Sequence, residues 1–181
     1  MTGFDEVTTL TLLSAWALAI GTVGLMYWQT RQAQRLNSSN SIMALRERFD
    51  SPHMRRARKH LSSRLMNHQH EDITSVEVAT FFELIGALTH RKVLDADLVW
   101  EAFGTWISGY YFALRNPVDT IAKVREDLQD PLVLHEFEWL NGRVSMMDAH
   151  ELGPQHSTVQ MTEEQARVIL KREADLDLQV S

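Results

Sequence analysis

Residues 7–28 carry no charged side chain over 22 consecutive positions. A helix of this length is about 33 Å long, whereas the hydrocarbon core of a bilayer is about 30 Å thick. Tyr27 and Trp28 stand where such a helix would leave the bilayer, which is the usual place for interfacial aromatic residues. The run therefore predicts a single transmembrane helix that stays attached as an N-terminal anchor.

A cleaved signal peptide and a buried helix of a soluble domain are the alternatives for this run. The Ala15-Trp16-Ala17 spacing is typical of a signal-peptide cleavage site. However, Asp5 and Glu6 stand where a signal peptide has Lys or Arg, and the apolar run continues past the cleavage point. An uncharged run of this length is also long for a buried helix in a soluble protein, so we expect an anchor.

The charges that flank the run predict its orientation. Only Asp5 and Glu6 precede it, whereas residues 29–64 carry nine Lys or Arg against two acidic residues. Basic segments next to a span stay in the cytoplasm. We expect a single-pass protein, with its N-terminus outside and its body in the cytoplasm.

The basic segment after the span is expected to contact anionic lipid headgroups or an acidic partner. Each Lys or Arg close to an anionic membrane surface contributes about 1 kcal/mol to the free energy of binding to that surface. An equal alternative is that the helical part of the segment pairs with the protein's own acidic face. The residues concerned are Arg31, Arg35, Arg55, Arg56, Arg58 and Lys59.

Small residues form one stripe along the predicted span. Ser14, Ala17, Gly21 and Gly24 are spaced three, four and three apart, so they share a helix face and allow another helix to approach closely. The stripe predicts contact with a partner span or with a second copy of the chain. No His, Asp or Glu lies within the run, which argues against a pigment ligand or an ion path there.

Composition and motifs exclude several functions. The 181 residues include no cysteine, so thiolate metal sites, disulfides and a cysteine nucleophile are absent. The net charge of -6 and the lack of aromatic residues among the basic ones disfavour nucleic-acid binding. No phosphate-binding glycine loop, serine-hydrolase elbow or zinc-protease motif is present. We expect no cofactor, no catalytic residues and no enzyme activity.

The rest of the chain predicts an all-α fold, a small cytoplasmic bundle of four or five helices. Ser51 and Asp95 are candidate N-caps, and Pro52 suits a first helical position. Later helices are predicted over residues 117–128 and 131–146. Two predicted core faces are Phe81, Leu84, Ile85 and Leu88, and then Val99, Phe103, Trp106, Ile107, Tyr110 and Leu114. The expected divisions are an anchor over residues 1–35, a helical domain over 36–147 and a tail over 148–181.

The tail is predicted to contain one short amphipathic helix. The sequence from Thr162 to Gln165 is a capping box, which opens a helix that ends near Ala174. Few apolar residues follow, so the tail is either a disordered acidic end or a segment that docks on a partner. The docking residues would be Ile169, Leu170, Leu176 and Leu178.

Two further polar features have a functional and an ordinary interpretation. Glu83 lies among apolar residues, and either a partner such as Arg115 or Arg143 or simple exposure would explain it. The other feature is a polar stretch that could ligate a metal but is more typical of a solvated turn. Its residues are His68, His70, Glu71 and Asp72.

Five segments of the body form a recognisable pattern: Phe49-Asp50-Ser51-Pro52 with Met54 and Arg55, Phe81 to Gly86, Leu94 to Val99, Phe103-Gly104 and Glu136 to Leu140. In these segments the chain resembles a bacterial family of small, membrane-anchored helical proteins known only as a domain of unknown function. The similarity covers roughly residues 42–145. It implies an N-terminal anchor and a cytoplasmic helical domain, and it supplies no activity.

These features together predict a non-catalytic accessory or assembly subunit. Its span would pack against a larger inner-membrane complex, of which respiratory and photosynthetic complexes are the concrete examples, while the body clamps a cytoplasmic surface. The alternative is a membrane-tethered sensor or signalling adaptor, in which the basic segment reads lipid charge and the helical domain recruits a soluble protein.

Overall fold

A computed structural model describes residues 25, 26, 28, 29, 37–67, 77–116, 118–152 and 161–176. The chain divides into two compact units, Met1–Asn37 and Ser38–Ser181. In the first unit, Leu25, Met26, Trp28 and Gln29 are helical and exposed. Within the described ranges, no helix is both long enough and apolar enough to cross a bilayer. Most of the predicted span lies outside these ranges, including Ser14, Ala17, Gly21 and Gly24, and so do Arg31 and Arg35.

The second unit is built from helices, and its described residues contain no β-strand, which confirms the predicted all-α class. The helix α1 covers residues 37–49, of which residues 38–49 belong to this unit. The helices that follow are α2 (Pro52–Met66), α3 (Glu77–His90), α4 (Ala96–Arg115), α5 (Thr120–Asp127), α6 (His135–Leu152) and α7 (Glu163–Ala174).

Several helix ends lie where local sequence signals place them. The Ser51 hydroxyl accepts a hydrogen bond from the Met54 amide, and Pro52 is at the start of α2. The Asp95 carboxylate accepts hydrogen bonds from the amides of Asp97 and Leu98. These caps satisfy amides that a helix leaves without an internal partner. The predicted starts of α2 and α4 are thus confirmed.

The predicted bounds of α5 and α6 are wrong by several residues. The Asp119 side chain caps the Ala122 amide, so α5 begins at Thr120 and not at residue 117. Gln129 and Leu134 have φ angles of 51° and 59°, a left-handed conformation that cannot continue a right-handed helix. The segment between them is therefore a loop, and α6 begins at His135 and continues to Leu152.

The core lies around α4, which packs against α6 and α7, while α6 also packs against α3 and α7 against α2. The predicted face of α4 is buried or half-buried throughout. On α3, Leu84 is exposed instead of buried, because Val78 and Phe82 complete the buried stripe with Phe81 and Ile85. The largest fully buried side chains include Phe49, Phe82, Phe103, Ile107, Tyr110 and Phe137.

The contact between α3 and α6 explains Glu83. Its Oε2 accepts a hydrogen bond of 2.6 Å from the Phe137 amide in the first turn of α6. The partner of Glu83 is therefore a backbone amide, and not Arg115 or Arg143 as the sequence suggested. A carboxylate at a helix N-terminus also interacts favourably with the helix dipole, so Glu83 acts as an N-cap supplied by another helix.

Replacing Glu83 with alanine should lower the free energy of unfolding by about 1 kcal/mol, the usual cost of losing an N-cap. Urea denaturation of the full chain would measure this loss. Glu101→Ala is the control, because Glu101 is exposed on α4. Equal effects of the two substitutions would contradict the capping role of Glu83.

Candidate functional site

The most distinctive polar site lies where α7 crosses α2 and α4. The capping box predicted at Thr162 and Gln165 is present and starts α7. Ala166, Leu170 and Glu173 are the buried residues of this helix. Their spacing of four and three places them on one face, so α7 presents two apolar side chains and one carboxylate to the rest of the second unit.

Glu173 is the centre of a buried polar cluster. Its Oε2 lies 3.1 Å from Nε of Arg58 on α2. From α4, the Trp106 indole donates a hydrogen bond of 2.9 Å to Oε1, and the Tyr110 hydroxyl donates one of 3.3 Å to Oε2. The hydroxyls of Tyr110 and Ser62 are 3.1 Å apart. Three helices thus meet through one carboxylate.

Arg58 is the cation of this cluster and is only 2% exposed. Its guanidinium lies 3.9 Å from the centre of the Phe49 ring, a favourable cation–π arrangement. Asp50 is 3.9 Å away at the edge of the cluster. Among the described residues, the buried Nη1 has no hydrogen-bond partner. Burial lowers the pKa of Arg58, and the Glu173 carboxylate opposes this change.

Tyr110 is held in its neutral form by the same surroundings. Burial, and then the charge of Glu173, raise the pKa of its phenol. A neutral phenol keeps its proton and can donate it to the carboxylate as a hydrogen bond. The cluster therefore combines a cation with two neutral donors, which is the chemistry of a carboxylate receptor.

Two open grooves flank α7. One, of about 640 Å³, is lined by Thr105 and Ser108 of α4, Asp148 of α6 and residues of α7 such as Val168. The other, of about 300 Å³, is lined by Leu65 and Met66 of α2, Phe112 and Ala113 of α4, and Arg167 of α7. α7 therefore leaves space on both of its sides.

The basic residues predicted for lipid or an acidic partner have separate environments. Arg58 cannot contact a headgroup, because it is buried against Phe49 and paired with Glu173, so that assignment is wrong for this residue. Lys59 donates a hydrogen bond of 3.0 Å to the Leu176 carbonyl. Arg55 is half-buried and Arg56 is exposed. The alternative of pairing with the protein's own acidic side chains describes Arg58, whereas the partner of Lys59 is a backbone carbonyl.

The tail residues predicted to dock on a partner are used within the chain. Leu170 is 6% exposed in the core, so it is not available to another protein, and its assignment is corrected. Ile169 is half-buried against Gly109 of α4. The Leu176 carbonyl binds Lys59, and Leu178 lies outside the described residues. α7 therefore belongs to the same compact unit as the helices before it.

A second polar cluster, nearer the surface, surrounds Glu138 of α6. Arg125 donates a hydrogen bond of 2.9 Å to it and the Tyr111 hydroxyl donates one of 3.2 Å. Arg115 lies 3.9 Å away. The hydrogen bond from Arg125 lowers the pKa of Glu138 despite partial burial. Burial, and then the charge of Glu138, raise the pKa of Tyr111.

The lowered pKa of Glu138 gives a pH dependence of stability with a definite sign. The carboxylate stabilises the fold fully above its ordinary pKa of about 4.3, and this contribution is lost as the pH falls through the lower folded-state pKa. Glu138→Gln should cost about 0.5 kcal/mol at pH 7, because the cluster is partly exposed, and nothing near pH 2. Urea denaturation across this range, with Glu101→Gln as the control, measures it. If the stability difference between the Glu138→Gln variant and the wild-type chain grew as the pH fell, the predicted direction of the pH dependence would be wrong.

The predicted metal alternative concerns residues outside the described ranges, since residues 68–76 are among those left undescribed. In the parts of the chain that are described, no three His, Asp or Glu side chains lie together as metal ligands. Glu173 was not among the site residues predicted from the sequence. Its signal was its spacing from Ala166 and Leu170, which puts a carboxylate on the apolar face of an amphipathic helix.

Comparison with known proteins identifies one family. The family model described as Domain of unknown function (DUF4760) matches residues 8–144, which is more than half of the chain. The matched range contains Arg58, Trp106 and Tyr110, whereas α7 and Glu173 lie beyond it. No curated protein and no solved structure matches the chain.

Proposed function

Since the chain belongs to the DUF4760 family, whose function is unknown, we propose a role from its own residues: a non-catalytic accessory or assembly subunit of a larger membrane-protein complex. Residues 7–28 anchor it in the inner membrane with the N-terminus outside and the helical unit in the cytoplasm. Their small-residue stripe packs against a partner span. Respiratory and photosynthetic complexes are the examples that we name for this larger complex.

The observation that carries this proposal is an exposed apolar loop between α5 and α6, residues 128–134. Leu128 and Leu132 are 61% and 67% exposed. The loop has a defined shape, because Arg125 donates a hydrogen bond of 2.8 Å to the Val133 carbonyl and Asp130 accepts one of 2.9 Å from the Leu132 amide. Two largely exposed leucines near each other in the sequence, on a loop of defined shape, support contact with a protein partner.

The backbone of this loop is strained. Leu134 has a φ of 59° although it is a bulky, buried residue, and Gln129 is also left-handed. Such conformations cost about 1–3 kcal/mol each and are concentrated at functional sites. Glu126, Asp127 and Asp130 are exposed beside the leucines, so the complementary surface on the partner is apolar with a basic border.

Co-purification from native membranes in gentle detergent tests the role. The wild-type chain should be recovered with other membrane subunits. Leu128→Ser combined with Leu132→Ser should reduce this recovery at least about tenfold, because two exposed anchors of about 1 kcal/mol each are removed. Met43→Ser is the matched control, since Met43 is 69% exposed on α1.

Two results would contradict the proposal. The first is recovery of the wild-type chain as a lone monomer at its native expression level. The second is recovery of the same subunits with the double serine variant and with the Met43 control, which would place the partner elsewhere on the chain.

A further inference from the structure

The groove that α7 fills is formed by helices of the family region and is occupied by a helix from outside it. α2 and α4 lie within residues 8–144, whereas α7 begins at Glu163. Of the twelve residues of α7, three are buried. The part of this chain that the family model matches thus carries a helix-sized groove, which the chain covers with a segment beyond that part.

α7 covers the groove incompletely. The open spaces of about 640 Å³ and 300 Å³ lie on its two sides. Val168 on α7 is 65% exposed, and the side chains of Glu164 and Arg167 are also exposed. α7 therefore contacts the groove along one edge and leaves room beside it on both sides.

The groove sets one chemical condition on its occupant. Arg58 is buried with α7 in place, and an unpaired buried cation is strongly unfavourable. Trp106 and Tyr110 direct two more donors to the same place. Any helix that buries Arg58 in the same way must therefore bring a carboxylate to this point, one turn beyond a leucine-like residue and two turns beyond a small residue.

We propose that the groove between α2 and α4 is a helix-binding site, which α7 fills within the chain and which an amphipathic helix of the partner complex, with a carboxylate at the place of Glu173, fills in exchange. The mode is the helix-in-groove recognition used by many peptide-binding domains. This inference rests on the proposed accessory role, and it adds that docking of the partner is controlled by release of α7.

A reversible lock on α7 provides the test in the full chain. A Cβ on Gly109 would lie 3.5 Å from the Cβ of Ile169, within the disulfide range of about 3.5–4.5 Å. The chain has no cysteine of its own. Gly109→Cys combined with Ile169→Cys should therefore form one disulfide that holds α7 in the groove until a reductant is added. Ile169→Cys alone controls for effects of the oxidant.

The probe is a fluorescent peptide of residues 161–176 in which Ile169 is replaced by Ala, so that it fits beside Cys at position 109. A matched probe also carries Glu173→Gln. Because the tethered α7 competes at an effective concentration of about 1 mM, the probe is titrated into the millimolar range. The oxidised and reduced forms of the double cysteine variant are then compared for recovery of partner subunits from native membranes.

The proposal expects the reduced double variant to bind the carboxylate probe at least about tenfold more tightly than the Gln probe, since a buried charge pair is lost. The oxidised variant should bind neither probe and should lose the partner subunits. Failure of the disulfide to form, equal probe binding in both redox states, equal binding of the two probes, or retention of the partner by the locked form would overturn it. The peptide measurement needs no complex, so it separates failure of this inference from failure of the accessory role.

Discussion

Replacing Gly86 with alanine should destabilise the helical unit by about 3 kcal/mol, at the upper end of the usual cost of overpacking. A Cβ at this position would overlap the backbone carbonyl of Glu136 on α6. A backbone carbonyl cannot rotate away as a flexible side chain can, so α3 and α6 would have to move apart. Urea denaturation of the full chain would measure the change in the free energy of unfolding.

Gly142→Ala is the matched control, because it introduces the same methyl group on the partner helix α6. Among the described residues, no atom outside the adjoining turns of α6 would lie within 4 Å of its Cβ, and Gly142 is exposed. Alanine favours a helix over glycine, so this substitution should stabilise the protein by about 0.5–1 kcal/mol. If the two substitutions changed the free energy of unfolding by the same amount and in the same direction, close approach at Gly86 would not be what holds α3 against α6.

Arg58→Met should lower the free energy of unfolding by about 3–5 kcal/mol, because it leaves the Glu173 carboxylate buried without its cation. Methionine is close to arginine in length and packs well against aromatic rings, so it retains contact with Phe49. The lost free energy therefore reports the electrostatic role of Arg58 and not the removal of bulk.

The double variant Arg58→Met with Glu173→Met separates the pair from its surroundings. It removes both charges, and the remaining cost is the loss of the acceptor for Trp106 and Tyr110, about 1–2 kcal/mol. The double variant should be more stable than Arg58→Met alone. Additive effects of the two substitutions would mean that the charges do not interact across the α2–α7 contact.

Local sequence signals account for much of this fold. Ser51, Asp95 and Thr162 start helices as predicted, because a cap depends on residues only two or three positions away. The apolar spacing on α4 predicted its buried face for the same reason. The predicted bounds of the loop between α5 and α6 were wrong because Gln129 and Leu134 adopt the left-handed conformation. Glycine is the usual sequence signal for that conformation, and neither position is a glycine.

The candidate site depends on contacts between residues far apart in the sequence. Arg58 was predicted as one of several surface cations, although its spacing from Met54 and Leu61 puts it on the buried face of α2. Its pairing with Glu173 depends on how α2 and α7 pack together, which the spacing within each helix does not give. Glu83 is similar: the amide it caps belongs to Phe137 on another helix. Sequence patterns predicted the elements, whereas the pairing of their polar side chains required the packed structure.

We propose that residues 7–28 fix the helical unit to a membrane. Alkaline carbonate extraction of native membranes, followed by mass determination of the chain, tests this anchoring. The intact chain, still bearing residues 7–28, should stay in the membrane pellet until detergent is added. Recovery in the aqueous supernatant, or of a product cleaved near residue 17, would contradict it.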